Sequence, residues 1–197
     1  MHYAIEPKAT SEGATVRYNI DPKGSTFTVR AFTTGLLAAF GHNPTIAIPG
    51  IEGEIVLDPD AIERSSMRMV VDAASLVVAD DISTKDREEI NRRMHSEVLE
   101  SDSFPEIVYE SSRVSASKSA EGQYWAAISG KLTMRGIAHA QPVSARLSVN
   151  GTTLRATGEF SVRQSDYEIR PVSAVGGTVK LKDELKLSFD ITACKQP

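Results

Sequence analysis

The sequence predicts an all-β fold: one antiparallel β-barrel of about eight strands, with a single helix near residues 85–99. Three observations predict it. Apolar and polar residues alternate with a period of two through most of the chain, which puts one face of each strand in a core. Gly, Asn and Pro punctuate the alternating runs. One segment alone changes to a four-residue spacing. A long sheet with one apolar face must curl or pair with another sheet; closure removes the exposed edges, and a two-sheet sandwich is the alternative. No linker, composition break or internal repeat divides the 197 residues, so 1–197 reads as a single domain with 1–13 a flexible N-terminal segment.

Taken in order, residues 14–20 form a first short strand, and "STFTVRAF" follows with Phe27, Val29 and Ala31 on one face. The pattern then stops at "TTGLLAAFGHNP", residues 33–44, where small and apolar residues run from Gly35 to Gly41 into His42 and a proline. That bend reads as core, membrane contact or the lip of a pocket. Short strands resume at 45–48 and 51–57. "SMRMVVDAASL" gathers Met67, Met69, Val71 and Ala73.

The helix comes next. In "STKDREEINRRMHSEVLES" Ile90, Met94 and Val98 recur at four-residue spacing with Leu99 beside them. Ser83 or Thr84 can cap its start, and acidic residues early with Arg92 and Arg93 later suit the helix dipole. Residues 106–115 and 142–149 read as strands on either side of "QYWAAISGKLTM", which sets Tyr124, Ala126, Ile128, Gly130, Leu132 and Met134 against a polar face. Asn150-Gly151 is the strongest hairpin signal. "TTLRATGEFSVRQ" places Leu154, Ala156, Gly158, Phe160 and Val162 together. "TVKLKDELKLSFDITAC" alternates from Val179 to Ala193 as one long strand, broken only by Asp183 as at a bulge or bend. Among the inward positions Ala73, Ala126, Gly130, Ala156, Gly158 and Ala193 are small. They leave room for a ligand or merely fit a taper; patterning alone favours neither.

Composition excludes several function classes. A net charge of −4 with no basic run argues against nucleic acid as partner. The single Cys194 excludes an intrachain disulfide and a multi-cysteine metal site. No apolar run approaches the ~20 residues of a membrane span, and no signal peptide is visible, so the expected compartment is the cytoplasm, or the periplasm if an upstream signal was removed. Asp80, Asp81 and Asp86 lack calcium-loop spacing and read as a solvated helix entry; His95 and His139 have no partner at ligand spacing. No metal and no cofactor is expected. Catalysis is not expected either. There is no G-x-S-x-G turn, Gly176-Gly177 lacks the residues of a phosphate loop, and Ser165-Asp166-Tyr167 reads as a side-chain-stabilised turn.

Gly41-His42 after the first strands, "SFPEIVYES" (103–111) after the helix, "GKLTMRGIAH" (130–139), "SDYEI" (165–169) and the closing strand occur in an order that resembles the YceI-like family. The resemblance spans about residues 15 to 192. It implies a lipocalin-like barrel that binds a polyisoprenoid or related long-chain lipid in its interior. Two departures stand out. Glu168 occupies a position where the family often has glycine, and "IAHAQPV" carries two extra residues before Pro142-Val143, lengthening that connection.

On this reading the expected function is non-catalytic binding, carriage or storage of a long-chain isoprenoid, isoprenoid quinone or fatty lipid. A filled barrel serving as a structural or interaction protein is the alternative, and a hydrolase of lipid esters or isoprenoid diphosphates a further one. A homodimer is left open. The lipid-facing set expected is Phe27 and Val29; Met67, Met69 and Val71; Ala126, Ile128 and Leu132; Ala156, Gly158 and Phe160; Leu187 and Phe189. Leu36, Leu37 and Phe40 from the bend would cover the tail. His42 would either bond a head group or fix its own turn through the backbone.

Overall fold

Period-two alternation becomes a meander that closes on itself in the computed structural model, which describes residues 15–34, 43–174 and 179–197. β1 (Val16–Ile20) and β2 (Thr26–Arg30) run in one direction as two halves of one stave, and β3 (Thr33–Thr34) follows. β4 (Thr45–Ala47) pairs β2, and β5 (Ile51–Leu57) pairs β1. β6 (Ser66–Asp72) and β7 (Val77–Val78) return beside β5 and β4. After the helix come β8 (Glu106–Ala120), β9 (Gln123–Met134), β10 (Ile137–Ala140) with β11 (Val143–Asn150), and β12 (Thr153–Arg163). β13 (Ser173–Ala174), β14 (Val179–Leu181) and β15 (Glu184–Lys195) end the chain. β15 pairs β12 on one side and both β1 and β2 on the other. That last pairing closes an eight-stave antiparallel barrel and rules out the open sandwich.

The staves break where local chemistry demands it. Pro49 and Gly50 separate β4 from β5. A 3-10 turn, Ala73–Ser75, separates β6 from β7, with the Asp72 carboxylate accepting from Ala74 N. The alternation runs on from Val179 to Ala193, yet Asp183 divides it. Its carboxylate accepts from Ser165 N at 2.8 Å and Ser165 Oγ at 2.6 Å, and its carbonyl accepts from Gln164 N at 3.0 Å. The one long strand expected is therefore two. β14 joins β3 and β13 in a separate small sheet, and only β15 belongs to the barrel.

Two turns also differ from expectation. Asn150 pairs with Thr153 as the last strand residue, so the hairpin turns on Gly151 and Thr152, with Gly151 at φ 55°. Gln141 and Pro142 form no lengthened loop. Ala140 faces Lys131 and Val143 faces Ile128, so β10 and β11 keep one register across them. The two-residue turn lies earlier, at Arg135-Gly136, where both residues are left-handed as a primed hairpin turn requires.

The helix forms where expected. α1 (Thr84–Arg93) is capped by Ser83, whose hydroxyl accepts from Asp86 N at 3.1 Å, and it continues as a π-helical turn over Met94–Leu99. α1, the π turn, the small sheet and the Gln164–Tyr167 turn gather at the barrel end where β2, β9 and β12 finish. This is the helical end. The opposite, hairpin end carries the turns at Glu121-Gly122 and Gly151-Thr152 and a 3-10 turn, Ile62–Arg64. There Asp58, 2% exposed, accepts from Asp60 N and Ala61 N, which satisfies its buried carboxylate.

Candidate functional site

The inward faces enclose a cavity of about 460 Å³, within the roughly 300–1,000 Å³ of small-molecule sites. Its wall extends from Lys180 at the helical end to Ser65 at the hairpin end, and it is overwhelmingly aliphatic and aromatic. β2 contributes Phe27 and Val29; β6 contributes Met67, Met69 and Val71; β9 contributes Ile128 and Leu132. Ala156 and Phe160 come from β12, Leu187 and Phe189 from β15. These expected positions meet around one space because they sit at even spacing on the inward faces of a closed barrel; on the neighbouring β2, β15 and β12, Phe27 stands opposite Phe189 and Leu187 opposite Phe160. Phe27, Phe160 and Phe189 touch as an aromatic trio, with centroids 6.1–6.3 Å apart, and fill part of the interior.

Two expected positions do not reach the space. The Phe189 ring lies on Gly158: a Cβ there would come within 2.6 Å of Phe189 Cζ and 2.4 Å of the Ser144 carbonyl. Ala126 is buried between its cross-strand partners, exposed Ala116 and buried Ala145, and of these Ala145 forms the wall. Gly130 likewise seats the Tyr109 ring, with a Cβ position 2.5 Å from its Cζ. The small inward residues are thus in part seats for rings rather than empty space. Leu36, Leu37, Phe40 and His42 lie outside the described residues. The flanking Thr33 and Pro44 both stand on the cavity wall, and Asn43 Oδ1 accepts from Thr33 N at 2.8 Å.

Sequence reading missed the helical contribution to the wall. Ile90, Met94, Val98 and Leu99 line the cavity, so of the two placements open to the helix, outside the barrel or over one end, the apolar stripe of α1 and the π turn takes the second. The stripe itself was the available signal. The short strands supply more wall, including Ile46, Ile48, Ile55 and Leu57.

Polar groups on the wall are few and mostly committed. Tyr109 donates its hydroxyl to the Gln141 carbonyl at 3.1 Å, and burial pushes its pKa up to about 12, so it stays a neutral donor. Gln164, 2% exposed, donates from its amide to the Lys182 carbonyl at 2.9 Å and ties the turn to the strand break. Off the wall, Tyr167 is raised to about 12 by burial and by the neighbouring Asp166 charge, and His139 packs edge-on against it at 5.3 Å. Among the described residues no three His, Cys, Asp or Glu side chains gather as a metal site. No described helix is long and apolar enough to cross a membrane.

The sequence profile of the YceI-like domain matches residues 18–193. Among solved structures, Burkholderia cenocepacia BcnA is similar at TM-score 0.67 and 18% identity, over 88% of this chain and 98% of that one. A polyisoprenoid binding domain from Saccharophagus degradans, implicated in plant cell wall breakdown, gives TM-score 0.65 at 11% identity, over 91% and 98%. The Campylobacter jejuni YCEI protein gives 0.57 at 14%, over 77% and 84%. No curated protein matches. At these identities the structures share the fold.

Proposed function

Because the chain belongs to the YceI-like domain family, we propose that its barrel binds a long-chain apolar lipid, a polyisoprenoid, isoprenoid quinone or fatty-acid derivative, and carries or stores it without catalysis. The observation that carries this reading is the cavity: about 460 Å³, apolar, and running through the barrel from one end to the other. A similar structure is described as a polyisoprenoid binding domain, which supports the same ligand class. The lipid-facing residues would be those on the wall named above, with Ala156 beside the tail.

Physical magnitudes agree with a tail-dominated site. Each buried methylene contributes about 0.8 kcal/mol. Roughly a dozen supply on the order of 10 kcal/mol, inside the range of about 4–15 kcal/mol that immobilisation costs. Apolar length alone can therefore hold a tail, and few polar contacts are needed.

The test combines extraction with one wall substitution. Solvent extraction of gently purified protein, read by mass spectrometry, should release a long-chain lipid. Ala156→Phe should keep the parent's thermal stability while losing uptake of a long-chain fluorescent probe. If the parent takes up no lipid and Ala156→Phe destabilises it by about 1–3 kcal/mol, as overpacking a filled core does, the interior is core and the proposal is wrong.

A further inference from the structure

Resting on that lipid-binding reading, we infer that the lipid carries an anionic head group, a carboxylate or phosphate, held at the helical end by Lys180 and Arg93. Among the described residues of the cavity wall these two carry the only charges, and both are positive. They belong to one locus. Arg93 Nη1 donates to the Ser173 carbonyl at 3.4 Å, and Ser173 is the cross-strand partner of Lys180 in the small sheet. Glu97 accepts from Arg93 Nε and Nη2, both at 3.1 Å, and so fixes the guanidinium while standing off the cavity wall itself. Glu97 is also approached by Arg92, at 3.8 Å, so its charge is shared between two arginines. Lys180 has no carboxylate partner among the described residues.

A cation beside an apolar space interacts more strongly with an opposite charge there than it would in water. It also donates hydrogen bonds that a hydrocarbon cannot accept. Since tail burial and immobilisation nearly balance, the head contact decides between lipids with equal tails. An anionic head gives Lys180 a counter-charge and adds a second acceptor to Arg93, whose partner Glu97 is shared with Arg92; a quinone ring or plain hydrocarbon leaves the Lys180 charge unmatched. The Thr33 and Ser173 positions on the same rim add polar surroundings suited to an oxygen-rich head.

Geranylgeranyl phosphate and geranylgeraniol share one tail and differ in the charged head, so they separate head from tail. On delipidated full-length protein at low salt, the phosphate should bind about tenfold tighter or more, the scale of a charge-assisted contact, and the advantage should shrink as salt rises. Lys180→Met combined with Arg93→Met should bring the phosphate down to the alcohol's affinity, and Arg93→Lys should retain most of the preference. Equal affinity of the parent for both probes overturns the head-group inference and leaves the lipid reading standing. A preference that survives in the double variant overturns it as well, making Lys180 a residue whose stem merely covers apolar surface. Binding of neither probe removes both readings. Inorganic phosphate at millimolar concentration should fail to displace the lipid phosphate; displacement would mark a free-anion site and overturn the inference.

Discussion

Glu168, Glu100 and Arg135 are the three described non-glycine residues with positive φ, at 56°, 49° and 51°, and one side chain joins them. Arg135 Nη1 donates to the Glu168 carbonyl at 3.3 Å, and its other terminal nitrogen pairs with the Glu100 carboxylate. The Arg135 guanidinium thereby ties the end of the π turn, the Arg135-Gly136 hairpin and the Gln164–Tyr167 turn into one knot at the helical end. This also explains the glycine often found in the family at position 168: the backbone there is left-handed, which favours glycine. The bond Glu168 makes to Arg135 uses its carbonyl, which glycine keeps. Left-handed geometry costs an L-residue about 1–2 kcal/mol, and glycine's greater unfolded freedom returns roughly 0.5–1 kcal/mol of that. Glu168→Gly should accordingly stabilise the protein by about 0.5–1 kcal/mol, read as a small rise in Tm of roughly 1–4 °C. A fall in Tm would show that the Glu168 carboxylate has a structural role of its own. The departure from glycine was legible in the sequence; that the turn keeps its left-handed backbone was not, because composition does not report φ.

At the scale of elements, alternation identified nearly every barrel strand, since inside and outside impose a strict period of two on each stave. It could not see the division at Asp183, because β14 and β15 continue the same alternation while belonging to different sheets. What divides them is a set of hydrogen bonds from a turn 18 residues earlier in sequence, and no local pattern announces a non-local partner. By that alternation Lys180 falls on the polar face of a strand, and Arg93 reads only as a helix-dipole charge. The break has a measurable acid signature. The Ser165 hydroxyl donating to Asp183, with backbone help from Ser165, holds that carboxyl below the ordinary range. A carboxyl depressed in the folded state contributes stability above its unfolded pKa of about 3.9, and the contribution is lost as pH falls through the lower folded value. Asp183→Asn should be less stable than the parent at neutral pH, with the gap in Tm narrowing as pH falls below about 4. Asp190, lowered by its bond from Arg155, titrates in both proteins and leaves the rest of the acid limb in place. A gap that stays constant from neutral pH to acid would show that the Asp183 charge is not what the turn recognises.

For the whole molecule, closure of β15 on β1 sets what the interior can hold. The sequence predicted the barrel and most of one wall, but not how far its inside is empty. Small inward residues point equally to a hollow and to seats for rings, and Gly130 and Gly158 are seats while Ala156 faces the space. The rest of the wall comes from short strands with little pattern of their own and from the helix stripe, whose spacing shows a helix but not which side of the barrel it meets. A cavity of this shape gives binding a length dependence. A strand of about twelve residues spans ~40 Å, so a tail can extend along the barrel, and each added methylene should contribute about 0.8 kcal/mol until the space is full. Ligand present at 100 times its Kd stabilises by about 2.7 kcal/mol. For a chain of this size that corresponds to a rise in Tm of roughly 5–10 °C. A series of straight-chain lipids with one head group, added to delipidated protein at fixed concentration, should therefore raise Tm progressively with chain length and then reach a plateau. The plateau length measures the filled cavity, and Ala156→Phe should move it to shorter chains. A shift that is the same for every chain length would place binding on the head group alone, with the tail left outside the barrel, and would remove the physical basis for an interior lipid site.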